Sequence, residues 1–504
     1  MSLTRRRLLR NGLGAGLALG VAGPRGLALA TERARPAGYA LGFRSLTDEV
    51  RLPDVPVEGR LPGWLRGVLL RNGPALFEVG GQPYNHWFDG LAMLHGFAFG
   101  DGRVSYANRF LRTSAYEAWR RDGVMKYSEF GTDPDPCRAM FNRVSTLPVI
   151  APVPNANVSI ERLGRRFQAH TELPVPVRFD PRTLRTLGGV GEMPNGRMGT
   201  AHPHHDPRTG ERFSYEIDLV PPSGLRVLAE RRGVRRELAF IPQERPGYLH
   251  SFALTDRYLA IHTQPWEFDL AQFLGPDRGP IASNFHWDGS QPSRVLLVDR
   301  KRGGVAATVE LEPSFVFHNI NAFEDGDRVV MDVCSHPDSS IVDAMYLENL
   351  RRDGSRVPRA TPRRLTIDPA SSSVRVRDLS EGNIELPRTD YETVNGRPYR
   401  FAYGVGVRHP RSSGFIDRLV KLDVKRGEQM DWQERGSYPG EPVFVRRPGR
   451  RREDDGVLLS VVLDSASRSS YLLVLDARDL SEIARAAVPH HIPFGFHGVH
   501  ATNA

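Results

Sequence analysis

The chain has 504 residues, of which 40% are hydrophobic and 25% charged, and carries a formal net charge of +9. This length exceeds what one compact core ordinarily supports, and no run of about twenty apolar residues offers a membrane-spanning helix. Five arginines and no acid fall in residues 1–30, so the remainder sits near +4; with no nucleic-acid-binding motif, the charge does not argue for a nucleic-acid partner.

At the N-terminus, Thr4-Arg5-Arg6-Arg7-Leu8-Leu9-Arg10, a Gly-rich apolar run over 13–22 and Ala28-Leu29-Ala30 read as a twin-arginine signal peptide spanning 1–30. An unprocessed basic tail is the plain alternative. The expected location is periplasmic or otherwise extracytoplasmic. Residues 31–504 show no break in composition and are expected to form a single domain.

Short alternating strands closed by tight turns follow: 67–70, 97–99 ending at Asp101-Gly102, 258–263, 294–298, 305–311, 315–323, 328–333, 457–463 and 471–475. Asp-Gly between apolar runs signals a hairpin. Helical stretches are few; 114–122 and 341–352 are the best, the second because Ile341, Ala344 and Met345 follow i, i+3, i+4 spacing. Hairpins at near-regular intervals fit an all-β fold, either a propeller or a large sandwich, and the lack of a clean repeat leaves the blade count open. The charged runs at 232–236 and 446–455 read as solvated hairpin tips. Cys137 and Cys334 imply no disulfide framework and leave either one bridge or two thiols.

Four of the sixteen histidines sit in short apolar or Gly/Pro-marked segments: His202 in TAHPH, His250 in YLHSFALT, His318 in FVFHNINAFEDGD and His497 in FGFHGVH. Glu172, Glu385 and Glu441 occupy comparable sites, each within two positions of a proline. Neutral imidazole suits Fe(II), Cu, Zn and Ni, and four imidazoles leave the cation's charge uncompensated. Carboxylates that accept the other ring N–H would fix the tautomers and supply that compensation. Such a set suits a mononuclear ferrous centre with two vacant positions. The residues are far apart in the chain and match no compact metal motif, so spacing alone leaves open ordinary core histidines and surface glutamates. His204 and His205 compete with His202, and His490, His491 and His500 flank His497. His86 and His95 bracket a turn at Asp89-Gly90 and read as structural.

A series of further motifs runs in one order: RNGP from Arg71, HWFDG from His86, MLH from Met93, RFLRT from Arg109, TAHPH, HSFALT from His250, FHNINAFED from Phe317, FAYG from Phe401, SYPGEPVFV from Ser437, DDGVLLSVV from Asp454 and FHG from Phe496. In these the chain resembles the carotenoid cleavage oxygenase family over nearly its whole length after about Tyr39. The resemblance implies an all-β, seven-bladed β-propeller with a loop and helical cap over a central iron site and an apolar tunnel. It implies Fe(2+) bound by His202, His250, His318 and His497, with Glu172, Glu385 and Glu441 behind them and His202 lacking such a partner. It implies O2 and a carotenoid or apocarotenoid as reactants, one double bond being cut to aldehyde or ketone products, with no separate acid or base assigned. The family also holds stilbene- or phenylpropanoid-cleaving dioxygenases and a retinoid isomerohydrolase, which are the alternatives. EFGT from Glu129 and DPDPCRAMFNR from Asp133 resemble the animal β-carotene oxygenase and retinoid isomerase branch, and Thr171 stands where the stilbene-cleaving branch is expected to carry lysine. An export leader is foreign to the animal branch, so that branch's substrate does not carry over. Family members use the region of Trp266, Phe268, Phe273 and Leu274 as an apolar patch near the tunnel mouth, which implies peripheral membrane contact; a buried loop is the alternative.

Overall fold

Tight turns do much of the folding. Asp101 (φ 49°) and Gly102 (φ 76°) are both left-handed, as a two-residue hairpin loop requires, and they join Leu91–Gly100 to Arg103–Phe110. The computed structural model describes residues 38–133, 155–191, 196–275, 278–352, 356–408 and 414–502. Residues 1–30, read from the sequence as a signal peptide, Cys137 and the segment DPDPCRAMFNR beyond Asp133 lie outside the described residues.

Seven antiparallel sheets of four to six strands follow one another as blades. The first contains Gly67–Leu76, Leu91–Gly100 and Arg103–Phe110. The second runs from Ser159–Leu163 to Thr186–Gly189, the third from Arg197–Gly199 and His204–Asp206 to Val234–Pro242, and the fourth from Ala253–Leu254 to Val305–Leu311. The fifth runs from Phe315–Asp325 to Ser373–Asp378, the sixth from Glu385–Arg388 to Glu428–Trp432, and the seventh from Ser437–Pro439 and Val443–Arg446 to Glu482–Val488. The two ends of the fold close the ring. Val57–Gly59 adds the outermost strand of the seventh blade, and Gly498–Ala501 adds the innermost strand of the first. The protein is thus an all-β, seven-bladed propeller.

Burial follows position in the blade. Phe315–Asp325, an innermost strand, is buried through most of its length, whereas the outermost strand Ser373–Asp378 is mostly exposed and carries Arg375, Arg377 and Asp378. Charges there discourage pairing with another sheet edge. Apolar clusters fill the spaces between successive blades, for example Leu365 and Ile367 against Val295 and Leu297, and Leu69 and Phe97 against Leu459 and Leu472. A separate aromatic layer of Phe43, Phe77, Trp87, Tyr116, Phe415 and Phe494 forms the cap.

Helix Ser114–Asp122 forms as its pattern predicts, with Thr113 capping its start and left-handed Gly123 ending it. The helix expected over 341–352 breaks into Ser340–Ala344 and Leu347–Leu350. There Met345 O accepts from Trp87 N and Leu347 N donates to Asn85 O, so tertiary pairing overrides helical periodicity. The 446–455 stretch is not a free-standing tip: Arg446 is bound to Asp390, and Asp454 pairs with Lys421 at 2.9 Å, both side chains buried. Cys334 is a buried free thiol.

Candidate metal centre

The innermost strands break their ladders where the functional side chains project. In the fifth blade, Phe317 and His318 together oppose one partner residue, and this bulge re-aims His318. Pro203 separates His202 from the short strand that carries its rivals. His250 lies three residues before the inner segment Ala253–Leu254 of the fourth blade, and His497 directly precedes Gly498–Ala501 of the first. In the seventh, Gly440-Glu441-Pro442 interrupts the inner strand. In the sixth, left-handed Leu386 (φ 48°) follows Glu385 and donates its N–H to that carboxylate at 2.8 Å. Any Cβ on the facing Gly404 would lie 2.6 Å from the Glu385 carbonyl, so only glycine fits beneath that bend.

These interruptions bring together the four histidines that the sequence singles out. One ring nitrogen from each of His202, His250, His318 and His497 lies within 4.8 Å of the others. His202 Nε2 is 3.0 Å from His250 Nε2, and His318 Nε2 is 3.1 Å from His497 Nε2. Two nitrogens bound at right angles to one ion, each at about 2.1 Å, would be about 3.0 Å apart. Blades one, three, four and five supply these rings; blades two, six and seven supply the glutamates.

Each glutamate takes the outward nitrogen of one ring. His250 Nδ1 is 2.6 Å from Glu172, His318 Nδ1 is 2.6 Å from Glu385, and His497 Nδ1 is 2.7 Å from Glu441. His202 has no carboxylate partner among the described residues. With Nδ1–H donating outward, Nε2 presents its lone pair to the centre, which is the protonation state a metal needs. Burial, reinforced by the neighbouring rings, pushes the His202 imidazole well below its usual range. Burial likewise lowers His497, to about 4, against the opposing pull of Glu441. Buried, neutral, convergent imidazoles backed by carboxylates fit a bound divalent cation.

The competing histidines are committed elsewhere. His204 Nε2 donates to Phe252 O at 2.8 Å, His205 meets Glu161 at 2.6 Å, and His500 Nε2 donates to Arg66 O at 2.9 Å. His490 and His491 likewise contact backbone carbonyls.

Three partners were not foreseen from the sequence. Arg71 Nη1 binds Glu441, and Arg71 Nη2 donates to Phe496 O at 3.0 Å. Tyr248 Oη donates to Glu172, and His336 Nε2 lies 3.3 Å from the second oxygen of Glu385. Burial opposes ionisation of Glu441, but Arg388, His497 and Arg71 outweigh it and hold the carboxyl well below the usual carboxylate range. A signal for Arg71 existed: it is a lone charge in the apolar strand GVLLRNGPAL.

His250, His318 and His497 open on a cavity of about 560 Å³, within the range of small-molecule sites. Phe88, Phe130, Phe317 and Phe496 are among its apolar walls, and Thr171 also faces it. The expected surface patch does not form as read. Trp266 is 5% and Phe268 1% exposed, because Trp266 packs with Tyr248 and Phe285, and Phe268 with Phe285, in the core between blades; Phe273 is half-buried and, of the four, only Leu274, at 56%, is well exposed.

A family model described as retinal pigment epithelial membrane protein matches residues 43–502. The chain is 34% identical over 490 residues to a carotenoid isomerooxygenase of Galleria mellonella, covering 90% of this chain and 95% of that protein. It is 35% identical over 509 residues to a mitochondrial carotenoid-cleaving dioxygenase of Mustela putorius furo, covering 88% and 93%. A Synechocystis apocarotenoid oxygenase carrying a glutamate-to-glutamine substitution superposes with a TM-score of 0.83 at 28% identity, covering 92% of this chain and 98% of that one. Its cobalt-substituted form gives 0.81 at 28% over the same shares. The ordered motifs, the seven blades and these matches agree: the chain belongs to the carotenoid oxygenase family that the retinal pigment epithelial membrane protein model describes.

Proposed function

We propose that this protein is a non-haem Fe(II) dioxygenase that uses O2 to cleave one carbon–carbon double bond of a carotenoid or apocarotenoid, releasing aldehyde or ketone products. The observation that carries this reading is a largely buried four-imidazole cluster, three of whose rings open on a largely apolar cavity. His202, His250, His318 and His497 would hold the ion, and Fe(II) bound there would supply activation of O2. The chain's own part is positional. Glu172, Glu385 and Glu441 fix three ring tautomers, and the Phe88, Phe317 and Phe496 walls hold a polyene beside the centre while excluding water.

The test is mass spectrometry of products formed under labelled O2 from β-carotene, a shorter apocarotenoid and a hydroxystilbene offered together. Labelled apocarotenal supports the reading; labelled aromatic aldehyde alone transfers the protein to the stilbene-cleaving class, and product oxygen drawn only from water to isomerohydrolase chemistry. Chelation should abolish turnover, and Fe(II) but not Zn(II) should restore it.

Two readings concern where the protein works. Residues 1–30 act as a twin-arginine export signal, and an exported protein that still begins at Met1 would sink that. Peripheral membrane contact is carried by Leu274 beside cavity-lining Phe273; liposome flotation unchanged by Leu274→Glu would count against it.

A further inference from the structure

The cavity wall holds a carboxyl with an oxygen that has no hydrogen-bond partner among the described residues. Glu129 lies in the loop after helix Ser114–Asp122 and lines the cavity, and its Oε1 is sealed from solvent with no hydrogen-bond partner among the described residues. Buried polar atoms are nearly always paired, so an unpaired carboxyl oxygen on a cavity-lining residue stands out; Oε1 itself has almost no accessible surface, so contact with a ligand falls to the other oxygen of the same carboxyl. Among the described residues, two such orphans belong to residues that line this cavity. The other, His336 Nδ1, belongs to the metal centre, because the same ring reaches Glu385 through Nε2.

The loop around Glu129 is held firmly. Glu129 N donates to Thr132 O at 2.8 Å, while Gly131 N and Thr132 Oγ1 donate to Asp89 at 3.0 and 2.6 Å. Asp89 also accepts from His86 N at 3.2 Å, so its carboxylate is well supplied with donors. Burial pushes Asp89 up to about 7, with those donors opposing. Burial, aided by Asp89, pushes the Glu129 carboxyl well above its usual range. Asp89 has donors and Glu129 Oε1 has none among the described residues, so burial favours the protonated form of Glu129, which offers an O–H to donate and a carbonyl oxygen to accept.

The surroundings say what kind of molecule would meet it. Phe130, the next residue, lies 5.4 Å from Phe88; Phe88 lies 6.1 Å from Phe317, whose ring is 5.4 Å from that of His250. An apolar polyene can pack along these rings, and only a polar group on it can use Glu129.

We propose that Glu129 is a specificity-determining residue whose carboxyl hydrogen-bonds an oxygen-bearing end group, hydroxyl or carbonyl, of a polyene lying in the cavity. The inference rests on the reading of this cavity as a carotenoid site. It does not concern the bond that is cut. A site built to pair a polar group discriminates strongly against an analogue that lacks it.

The experiment measures equilibrium binding of three polyenes of matched length to the full chain loaded with Co(II), by the shift of the polyene absorption band. One polyene has unsubstituted rings, one hydroxylated rings and one keto-substituted rings. The wild type should bind at least one oxygenated polyene about tenfold tighter than the unsubstituted one. In Glu129→Leu that ratio should fall toward one, and Glu129→Gln, which keeps a donor and an acceptor, should retain most of it; which oxygenated polyene loses its advantage separates hydroxyl from carbonyl. Infrared difference spectra of the wild type should show a protonated-carboxyl band that shifts when the preferred polyene binds and is missing in Glu129→Gln. Equal wild-type affinity for all three, an unchanged ratio in a folded Glu129→Leu, or an unshifted carboxyl band would each overturn the proposal. Failure to cleave any of the three under O2 with Fe(II) would instead sink the oxygenase reading, while the binding ratio still judged Glu129.

Discussion

His497 and His250 make the same hydrogen bond to a glutamate, yet the two glutamates are held by opposite chemistry. Behind His497, Glu441 is fully buried between Arg71 and, at 3.6 Å, Arg388, and also accepts from Gly498 N at 3.0 Å. Behind His250, Glu172 is held by the Tyr248 hydroxyl, with no arginine or lysine paired to it among the described residues. One carboxylate is fixed by permanent cations, the other by a neutral donor. Outer partners thus orient the rings alike while distributing charge unequally around the axis. The His497 side should matter most for folding, and both sides for metal retention.

Breaking the cationic side gives the largest expected effect. Arg71→Met leaves Glu441 buried with only the more distant Arg388, and should cost about 3 kcal/mol of stability, at the lower end for breaking a buried ion pair. Denaturant unfolding of the metal-free protein measures it, and a loss under about 1 kcal/mol would show that Arg388 alone suffices. The effect has a pH signature. The folded-state value of Glu441 is depressed, so its stabilising contribution is present above the ordinary carboxylate range and is lost as pH falls below it. The gap between wild type and Arg71→Met should therefore narrow in acid.

Next in size is removal of the carboxylates themselves. Glu441→Ala and Glu172→Ala should each lower metal affinity by about ten- to a hundredfold, read by chelator competition with Fe(II) or Co(II). Glu441→Ala should also destabilise the apoprotein, because it strands the buried Arg71; Glu172→Ala should not do so to a comparable degree. Equal apoprotein stability in the two variants would erase the distinction between the sides. His336→Phe should follow with a smaller loss of affinity, about threefold to tenfold, since Glu385 keeps its bonds to His318 and to Leu386 N.

How much of this was readable in the sequence differs by kind of feature. Strands at 258–263 and 305–311 appear with the boundaries read from the sequence: the second because a half-buried strand writes its period of two into the chain, the first because a short apolar run marks a strand buried on both faces. The break at Met345–Tyr346 was not readable, since it depends on pairing with Asn85 and Trp87 from another blade. Trp266 and Phe268 read in the sequence as one patch with Phe273 and Leu274 because an aromatic residue looks the same whether its neighbours are lipid or Phe285. The four histidines and three glutamates stand out only through their motifs; what brings them together is the ring of blades, which no local spacing encodes. His336 and Tyr248 escaped notice for a related reason. Each acts through a glutamate from a different blade, and that meeting is set by how the blades are arranged around the axis.

Tyr248→Phe is the finest cut available on the neutral side. Tyr248 is fully buried, stacks on Phe315 with ring centres 6.1 Å apart and meets Trp266 edge-on at 5.0 Å, so the variant keeps the packing and removes only the hydroxyl. Glu172 would then retain the ring N–H of His250 but lose its phenolic donor. A hydrogen bond to a charged acceptor contributes about 1.5–3 kcal/mol, but a bound ion would strengthen the remaining N–H donor, so the expected loss of metal affinity is less than tenfold. Apoprotein stability should fall by about 1.5 kcal/mol, the lower end of that range, since Glu172 keeps its bond to His250, and short of the Arg71→Met effect. If the two variants proved equally destabilising, a neutral donor would be holding its buried carboxylate as firmly as a guanidinium does, and the contrast between the two sides would be one of geometry rather than charge.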